Sequence, residues 1–425
     1  MAVEELFVSV VIILAAARIA GELFQRIKQP PLVGEILAGV TVGPSVLGFV
    51  APSASLEVLA NLAVFFLMFL TGLQMDIRGI KKTGISAIII SAIAFLVPLV
   101  SGYYVSTLLF GLTSVQALFM GLLLSITAVP VSAMVLMQFG ILNTRLGTTV
   151  MTAAVINDIM SLIVLSIVLQ LAADDGSGVG GQVNLAEVGM SIVKIAAFLG
   201  GIFLFDILFR KTANVWLPSK AEPFFKKYLQ TKEAAFGILL ITTIGISLIA
   251  QDIGLHFIIG TFFSGLIVYK EMIGKQNFTR VYGIISAITF GFFAPIFFGV
   301  IGIEFNAQSL VNAIPLFLAL LAVAVATKIG SGYIGARIAK FSKETSLAIG
   351  FLMNGRGMVE LVIASIGFGA GIIDVTLFSV AVAIGVVTTV LAPITSRPFV
   401  STAKAKGSPD VIVDANQDES EQHFV

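Results

Sequence analysis

The sequence predicts an all-α polytopic membrane protein with about thirteen transmembrane helices. Three observations support this fold class. Of the 425 residues, 57% are hydrophobic and 12% are charged, and the mean hydropathy is +1.04, whereas soluble domains carry about 25% charged residues. Apolar segments long enough to cross a bilayer follow one another along the chain. Most basic residues lie in alternate loops, as expected for a chain that crosses the membrane repeatedly.

The predicted spans are apolar segments separated by polar loops. They cover residues 5–25, 31–49, 56–75, 84–110, 115–138, 146–172, 186–209, 234–250, 255–270, 281–302, 309–336, 346–369 and 374–395. The chain opens with acidic MAVEE and has no small-residue cleavage site, so we interpret the first segment as a span and not as a removed signal peptide. The polar, acidic residues 398–425 are predicted to form a short disordered cytoplasmic tail.

The basic residues orient the spans. All but four of the 25 lysines and arginines lie in one alternate set of loops or in the tail. The other set of loops, near Pro52, Leu112, Gly176, Gln251, Glu304 and Gly371, contains none. The positive-inside rule makes the basic set cytoplasmic. The N-terminus is therefore predicted outside and the C-terminus inside, as an odd number of spans requires, in a prokaryotic plasma membrane.

A long basic loop divides the chain into two halves. Residues 210–233 follow the seventh span, so six spans (about 1–172) and six spans (about 234–397) flank a linker helix (about 186–209). Two halves separated by a single helix have opposite orientations. This arrangement is typical of the inverted repeats of transporters, and we expect residues 1–397 to form one transmembrane domain.

The fifth span of each half is interrupted. One contains SITAVPVSAM (Ser125 to Met134), with Pro130 in the middle of the span, and the other contains MNGRGMVEL (Met353 to Leu361), with two glycines around a charge. Interrupted spans at matching positions predict crossed, discontinuous helices that form a binding site.

The sixth span carries an acid at its centre. Asp158 lies about 18 Å from either end at 1.5 Å per residue, and a carboxylate is too short to reach water from there. It must face a cavity, a partner or a proton, so we predict a cation- or proton-binding role; the alternative is a structural aspartate capped by a neighbouring helix. Asn157 is a candidate ligand through its amide oxygen, and Thr127, Ser125 and Ser132 are candidates through hydroxyl or freed backbone oxygens, the ligands that hard cations prefer.

Three further charges lie inside spans and are predicted to compensate charge or stabilise the core. Lys328 in the eleventh span is a candidate cation that neutralises the empty site near Asp158 or Asn157; the alternative is that it snorkels to the cytoplasmic edge. Arg356 and Glu360 are four residues apart, so they can pair on one helix face or across the break. Structural pairing and a direct transport role both remain open for this pair.

Several function classes find no support in the sequence. The sequence contains no cysteine, which excludes disulfides, thiol chemistry and cysteine-ligated metals. It contains only two histidines. No HExxH or similar metal motif is present. We therefore predict no catalytic residues, no enzymatic activity, no cofactor and no nucleic-acid partner, with the lipid bilayer as the surroundings. The role of His256 stays open.

Four motifs show a family resemblance. They are QPPLVGEILAGVTVGPSVLG before residue 49, FFLMFLTGLQMD at 65–76, QDIGLHFIIGTFFSGLIV at 251–268 and NGRGMVELVIA at 354–364. In this order the chain resembles the monovalent cation:proton antiporter family, which includes bacterial Na⁺(K⁺)/H⁺ antiporters, potassium efflux systems of the Kef type and plant cation/proton exchangers. The resemblance extends over nearly all of residues 1–397.

The resemblance implies an elevator-type antiporter with a core domain around the two crossed helices and a separate domain that forms a homodimer. The family's ion-binding aspartate falls on Asp158, the residue before it on Asn157, and its core lysine on Lys328. Potassium efflux systems carry a large regulatory domain after the last span. This sequence has only a short tail there, so such regulation is expected to be absent or to come from a separate subunit.

The predicted function is secondary active exchange of a monovalent cation, Na⁺ first and K⁺ second, for H⁺ by alternating access at Asp158, with pH homeostasis as the expected role. Electrogenic members of the family have two adjacent acids; Asn157 in place of one of them predicts electroneutral exchange. The alternatives are a cation channel or leak, a sodium-coupled solute symporter on the same scaffold, and a non-transporting sensor. The sequence leaves the choice between Na⁺ and K⁺, the direction of flux and regulation open.

Overall fold

A computed structural model describes residues 2–75, 77–174, 232–268 and 275–411, together with isolated positions between 189 and 201. These residues form helices joined by short turns, and no β-strand occurs among them. The predicted all-α fold class is therefore confirmed. The linker helix predicted at 186–209, the long loop after it and the end of the tail lie outside the described residues.

The first half of the chain supplies seven helices. They are α1 (Ala2–Arg26), α2 (Pro31–Val42), α3 (Ala54–Gln74), α4 (Ile77–Phe110, kinked at Gly84, where φ is 59°), α5 (Ser114–Ser125), α6 (Val129–Gln138) and α7 (Arg145–Asp174).

The second half supplies the remaining described helices. They are α8 (Lys232–Asp252), α9 (Phe257–Ile267), α10 (Lys275–Ile288), α11 (Ala294–Glu304), α12 (Ala307–Asn312), α13 (Ile314–Ile338), α14 (Lys343–Met353), α15 (Met358–Gly369) and α16 (Val375–Ala405). A π-helical turn (Thr289–Phe293) joins α10 to α11, so these three form one long segment.

The described helices match the predicted spans. Nine helical segments in this part of the chain are long and apolar enough to cross a membrane, and three shorter apolar helices correspond to α2, α8 and α9. Together they account for every predicted span except 186–209. Helix α2 ends earlier than the predicted span 31–49, because Gly43 adopts an extended conformation and precedes Pro44, which disfavours helical geometry in the residue before it.

The chain divides into two compact units. One contains Met1–Pro52, Ile77–Val168 and Phe298–Val425, and the other contains Ser53–Asp76 and Leu169–Phe297. In the first, α4 packs along α5 and α13, and all the candidate site residues belong to this unit. In the second, α3 packs on α9.

Close helix contacts through glycine recur in the two halves. A Cβ atom on Gly102 of α4 would lie 2.8 Å from the Cα of Gly121 in α5. A Cβ on Gly332 of α13 would lie 3.0 Å from the Cα of Gly350 in α14. Larger residues would push the helices apart, and small residues are what close helix packing in membranes requires. The fourth and fifth spans of each half therefore pack in the same way.

A second pair of contacts follows the same rule. A Cβ on Gly39 of α2 would lie 2.1 Å from the carbonyl oxygen of Gly299 in α11, and a Cβ on Gly265 of α9 would lie 2.4 Å from that of Phe69 in α3. The second span of each half thus packs against the third span of the other half. Reciprocal packing of this kind is expected when the two halves of a chain share one structural plan.

The last helix continues further than predicted. Helix α16 runs to Ala405, into the segment predicted as a disordered tail, and a short 3₁₀ turn follows at Pro409–Val411. The carboxylate of Asp410 is buried and lies 2.8 Å from Arg145 at the start of α7. This packing explains why residues 398–411 are ordered; the prediction for residues 412–425 lies outside the described residues.

Candidate ion-binding site

Two helices are interrupted at the positions predicted from Pro130 and from the glycines around Arg356. Helix α5 ends at Ser125 and α6 begins at Val129, with extended backbone between them. Pro130 is the second residue of α6, where a helix needs no N–H donor. In the second half, α14 ends at Met353 and α15 begins at Met358. The two breaks open the backbone in the middle of long apolar segments.

The two breaks cross and exchange hydrogen bonds. The Ala128 amide donates to the Gly355 carbonyl over 2.8 Å. The Thr127 hydroxyl lies 3.1 Å from the Met353 carbonyl, and the Ser132 hydroxyl donates to the Leu352 carbonyl over 2.8 Å. A buried backbone group without a partner is costly in a membrane. Each break therefore supplies partners for groups that the other leaves free.

Helix α7 carries Asn157 and Asp158 to this crossing. Both side chains are buried. The Asn157 amide lies between Ser91 of α4 on one side and Thr127 and Lys328 on the other. With Nδ2 facing Ser91, the amide donates to the Ser91 hydroxyl over 2.9 Å, and Oδ1 accepts from Thr127 over 2.9 Å and from Lys328 over 3.1 Å.

Lys328 of α13 is fully buried at the centre of this cluster. Its ammonium donates to the Ala94 carbonyl over 3.0 Å, to the Ser125 carbonyl and to Asn157 Oδ1. An ammonium has three protons, and these three oxygens accept all of them. The lysine does not snorkel to the cytoplasmic edge, because its charge is held inside the protein.

Asp158 keeps an unused oxygen. Its Oδ1 is buried and has no hydrogen-bond partner in the part of the chain that the structure describes. Lys328 interacts with Asp158 electrostatically, but no ion pair within 4 Å joins them among the described residues. Burying an ionised carboxylate without a partner is expensive, and a proton or a cation at this oxygen would lower that cost.

Arg356 and Glu360 form a buried ion pair beside the crossing. Arg356 NH1 lies 3.0 Å from Glu360 Oε1, and both side chains are at most 1% exposed. Arg356 also donates to the carbonyls of Leu123 and Leu124, where α5 approaches its end and its last carbonyls lack helical donors. Arg356 lies in the break and Glu360 in the first turn of α15, so the pair links the break to the helix that follows it and does not lie on one helix face.

The structure brings together most of the predicted site residues and shows which of its two oxygens Ser125 offers. The Ser125 hydroxyl donates to the carbonyl of Leu122 over 2.7 Å, so Ser125 contributes its carbonyl, not its hydroxyl. Two contributors were missed: Ser91, which contacts Asn157, and Thr389 of α16, whose hydroxyl donates to the Arg356 carbonyl over 2.8 Å. Hydroxyl residues in the middle of a span were the only available signal, and a weak one.

The oxygen donors suit a monovalent cation. Asp158 offers a buried carboxylate, and the break beside Asn157 contains the neutral hydroxyl of Thr127. Alkali cations are bound by oxygen ligands, and one carboxylate neutralises one positive charge.

The sequence matches a family model. The sodium/hydrogen exchanger transmembrane model covers residues 10–402. The chain belongs to the sodium/hydrogen exchanger family. The resemblance deduced from the four motifs is thereby confirmed.

Relatives within this exchanger family match most of the chain. The Na⁺/H⁺-K⁺ antiporter GerN of Bacillus cereus is 32% identical over 368 residues, which cover 85% of this chain and 88% of that protein. A Na⁺/H⁺ antiporter of Enterococcus hirae is 30% identical over 356 residues, which cover 84% of this chain and 88% of that protein.

A solved exchanger structure shares the fold. The sodium proton antiporter MjNhaP1 from Methanocaldococcus jannaschii superposes with a TM-score of 0.69 over 95% of this chain and 99% of that chain, at 17% identity. This likeness shows that the chain has the antiporter fold.

Proposed function

We propose that the protein exchanges a monovalent cation for H⁺ across the membrane, with Na⁺ as the first candidate, K⁺ as the second, and Asp158 as the binding group. The observation that carries the proposal is the buried Oδ1 of Asp158, which has no partner among the described residues and lies where two broken helices cross. The names of the relatives support the same activity, and that of GerN includes both cations.

Competition for one carboxylate explains exchange. A proton or a cation discharges Asp158, and the discharged site crosses the apolar barrier at much lower cost than an ionised carboxylate. The empty, charged site cannot cross, so inward movement of one ion requires outward movement of the other. No further coupling element is needed for antiport.

The neighbouring groups support electroneutral exchange. Asn157 does not titrate, and the three protons of Lys328 are all accepted by oxygens, which favours the charged form of the lysine in this conformation. One carboxylate then exchanges one cation for one proton. Lys328 would keep its proton, so its charge would be the same with either ion bound and would not alter the stoichiometry.

The surroundings of the transporter are proposed from the charge pattern of the loops and from the family resemblance. We place the protein in a prokaryotic plasma membrane as a homodimer, with the N-terminus outside and the C-terminus cytoplasmic. A regulatory subunit remains a candidate partner, and the inverted repeats are placed at about 1–172 and 234–397.

The test is cation-dependent proton movement in proteoliposomes that contain only this protein. Wild-type protein should alkalinise or acidify the lumen according to the direction of an imposed Na⁺ or K⁺ gradient. Asp158→Asn keeps the side-chain shape but cannot bind a proton in exchange for a cation, so its signal should fall to that of empty liposomes. Retention of exchange by Asp158→Asn would overturn the proposal.

Asp374→Asn is the matched control. Asp374 caps α16 by accepting from the Leu377 amide over 2.8 Å, and asparagine caps helices about as well as aspartate. The same chemical change away from the site should leave exchange intact.

Two other functions predict different results in the same liposomes. A channel or leak would move the cation down its gradient without proton counterflow. A sodium-coupled symporter would need an organic solute before any cation moved. Paired discontinuous helices that cross at one buried acid favour the antiporter, because a channel requires a continuous pore with several sites.

A further inference from the structure

Ser91 is a buried hydroxyl residue of α4 that touches the ion site only through Asn157. Its hydroxyl lies 2.9 Å from one end of the Asn157 amide, and its carbonyl oxygen lies 3.2 Å from the same amide atom. A carbonyl can only accept a hydrogen bond. The amide atom that faces Ser91 must therefore be the nitrogen.

The other side of the amide leads to the same orientation. Lys328 Nζ lies 3.1 Å from the amide atom that faces away from Ser91. An ammonium can only donate. The Ser125 carbonyl also lies 3.3 Å from this atom, but the shorter, charge-assisted contact with the lysine favours Oδ1 here. Ser91 and Lys328 thus hold opposite ends of one amide, and Ser91 turns the oxygen toward the lysine.

This orientation decides what the lysine binds. With Asn157 Oδ1 available, the ammonium has three oxygen acceptors, the other two being the carbonyls of Ala94 and Ser125. It has no proton left for Asp158, and the Asp158 Oδ1 atom has no partner in the described part of the chain. If the amide turned over, its NH₂ group would face the ammonium, and one ammonium proton would be free to bind Asp158.

We propose that Ser91 is a positioning residue for cation affinity: it fixes the Asn157 amide so that Lys328 binds Asn157 and leaves Asp158 free for the transported ion. This inference rests on the proposed function, because it assigns Asp158 the same role. The lysine and the cation are competitors for Asp158, and Ser91 biases that competition toward the cation.

The test compares Ser91→Ala with wild type in Na⁺ titrations of exchange. Loss of the hydroxyl frees the amide, so the half-saturating Na⁺ concentration should rise about three- to tenfold, the range expected for one neutral hydrogen bond, with the maximal rate retained. Ser91→Thr keeps the hydroxyl and should restore most of the affinity.

Ser106→Ala is the matched control within the same helix. Ser106 is fully buried, and its hydroxyl has no hydrogen-bond partner among the described residues. The Ser106→Ala variant therefore removes a hydroxyl from α4 away from the site, and its half-saturating Na⁺ concentration should equal that of the wild type. An unchanged half-saturating concentration in Ser91→Ala, or an equal change in Ser106→Ala, would overturn the inference.

A binding measurement does not depend on turnover. Na⁺ that binds only the folded protein stabilises it by RT ln(1 + [Na⁺]/Kd), so titrating the melting temperature with NaCl at constant ionic strength gives an affinity for each variant. The double variant Ser91→Ala/Lys328→Ala should bind Na⁺ as Lys328→Ala alone does, because the competitor is gone. A further loss of affinity in the double variant would contradict the role assigned to Ser91. Wild-type protein that shows no exchange would overturn the proposed function, and this inference with it.

Discussion

The amide of Ala128 donates to the carbonyl of Gly355 over 2.8 Å and joins the two helix breaks directly. Each break removes backbone groups from their helical partners in the middle of an apolar segment. A polar group without a partner there costs several kcal/mol. Because each break supplies acceptors for the other, the two interruptions stabilise each other. The crossing is therefore one structural unit and not two separate defects.

The two breaks lie so close together that Gly357→Ala is predicted to impair exchange. A Cβ at Gly357 would lie 2.8 Å from the Cβ of Ala128, so the breaks must move apart. We expect a large loss of the exchange rate and a fall in stability of about 1–3 kcal/mol, as for overpacked cores. Proteoliposome exchange and thermal unfolding in detergent measure the two effects.

Gly369→Ala at the end of α15 is the control for this variant. A Cβ there meets open space, so exchange and stability should stay near wild type. Wild-type exchange by Gly357→Ala would show that the separation of the breaks does not matter.

Lys328→Ala is predicted to destabilise the protein. It leaves the carbonyls of Ala94 and Ser125 and the amide oxygen of Asn157 without their donor. A buried group that loses its partner costs about 1–3 kcal/mol, so the melting temperature should fall clearly. Lys343→Ala, at an exposed position at the start of α14, is the control. Equal melting temperatures for Lys328→Ala and wild type, together with an unchanged pH profile of exchange, would remove Lys328 from the site.

Glu360→Gln is predicted to act on stability more than on exchange. The substitution leaves the fully buried Arg356 without its carboxylate partner, and breaking a buried pair costs about 3–5 kcal/mol. The arginine keeps its bonds to Leu123 and Leu124, so molecules that remain folded should still exchange ions.

A surface pair provides the comparison for Glu360. Glu344 binds Lys406 over 2.7 Å with much of both side chains exposed, and exposed pairs contribute little, so Glu344→Gln should change the melting temperature far less. A folded Glu360→Gln protein without exchange would instead indicate a direct transport role for this acid.

The sequence predicted the elements of the site better than their contacts. Pro130, the glycines around Arg356 and the acid at mid-span are strong signals, because each violates what an apolar helix requires, and the structure has a break or a buried acid at each. The hydrogen-bond partners of Lys328 were harder to predict from the sequence. Both Asp158 and Asn157 were candidates, and only side-chain packing shows three oxygen acceptors that occupy the ammonium.

Some features had no usable signal in the sequence. Ser91 is one of many hydroxyl residues within spans, and its importance depends on which helix face meets α7. The end of α16 was not predicted, because its polar composition suggested disorder. In the structure the segment is held by the ion pair between the buried Asp410 and Arg145, a partner distant in sequence.

The last prediction concerns the number of charges moved in each cycle. Asn157 beside Asp158 leaves one titratable carboxylate at the crossing, so one cation should displace one proton with no net charge transfer. A membrane potential acts on net charge only, at about 2.3 kcal/mol per charge per 100 mV. Exchange should therefore be insensitive to an imposed potential and driven by the two concentration gradients alone.

Proteoliposomes with equal pH on both sides, a Na⁺ gradient and a potential set by a third ion test this prediction. The initial rate of proton movement should be the same at positive, zero and negative potential, and Asp158→Asn liposomes give the background that must be subtracted. Sustained cation flux that is driven by the potential and coupled to proton counterflow would require a second proton carrier. Lys328 is the first group to test for that role, because it is the buried cation that contacts Asn157. If potential dependence disappeared in Lys328→Ala while exchange persisted, the lysine would be the second carrier and its three oxygen acceptors would mark only one stage of the cycle.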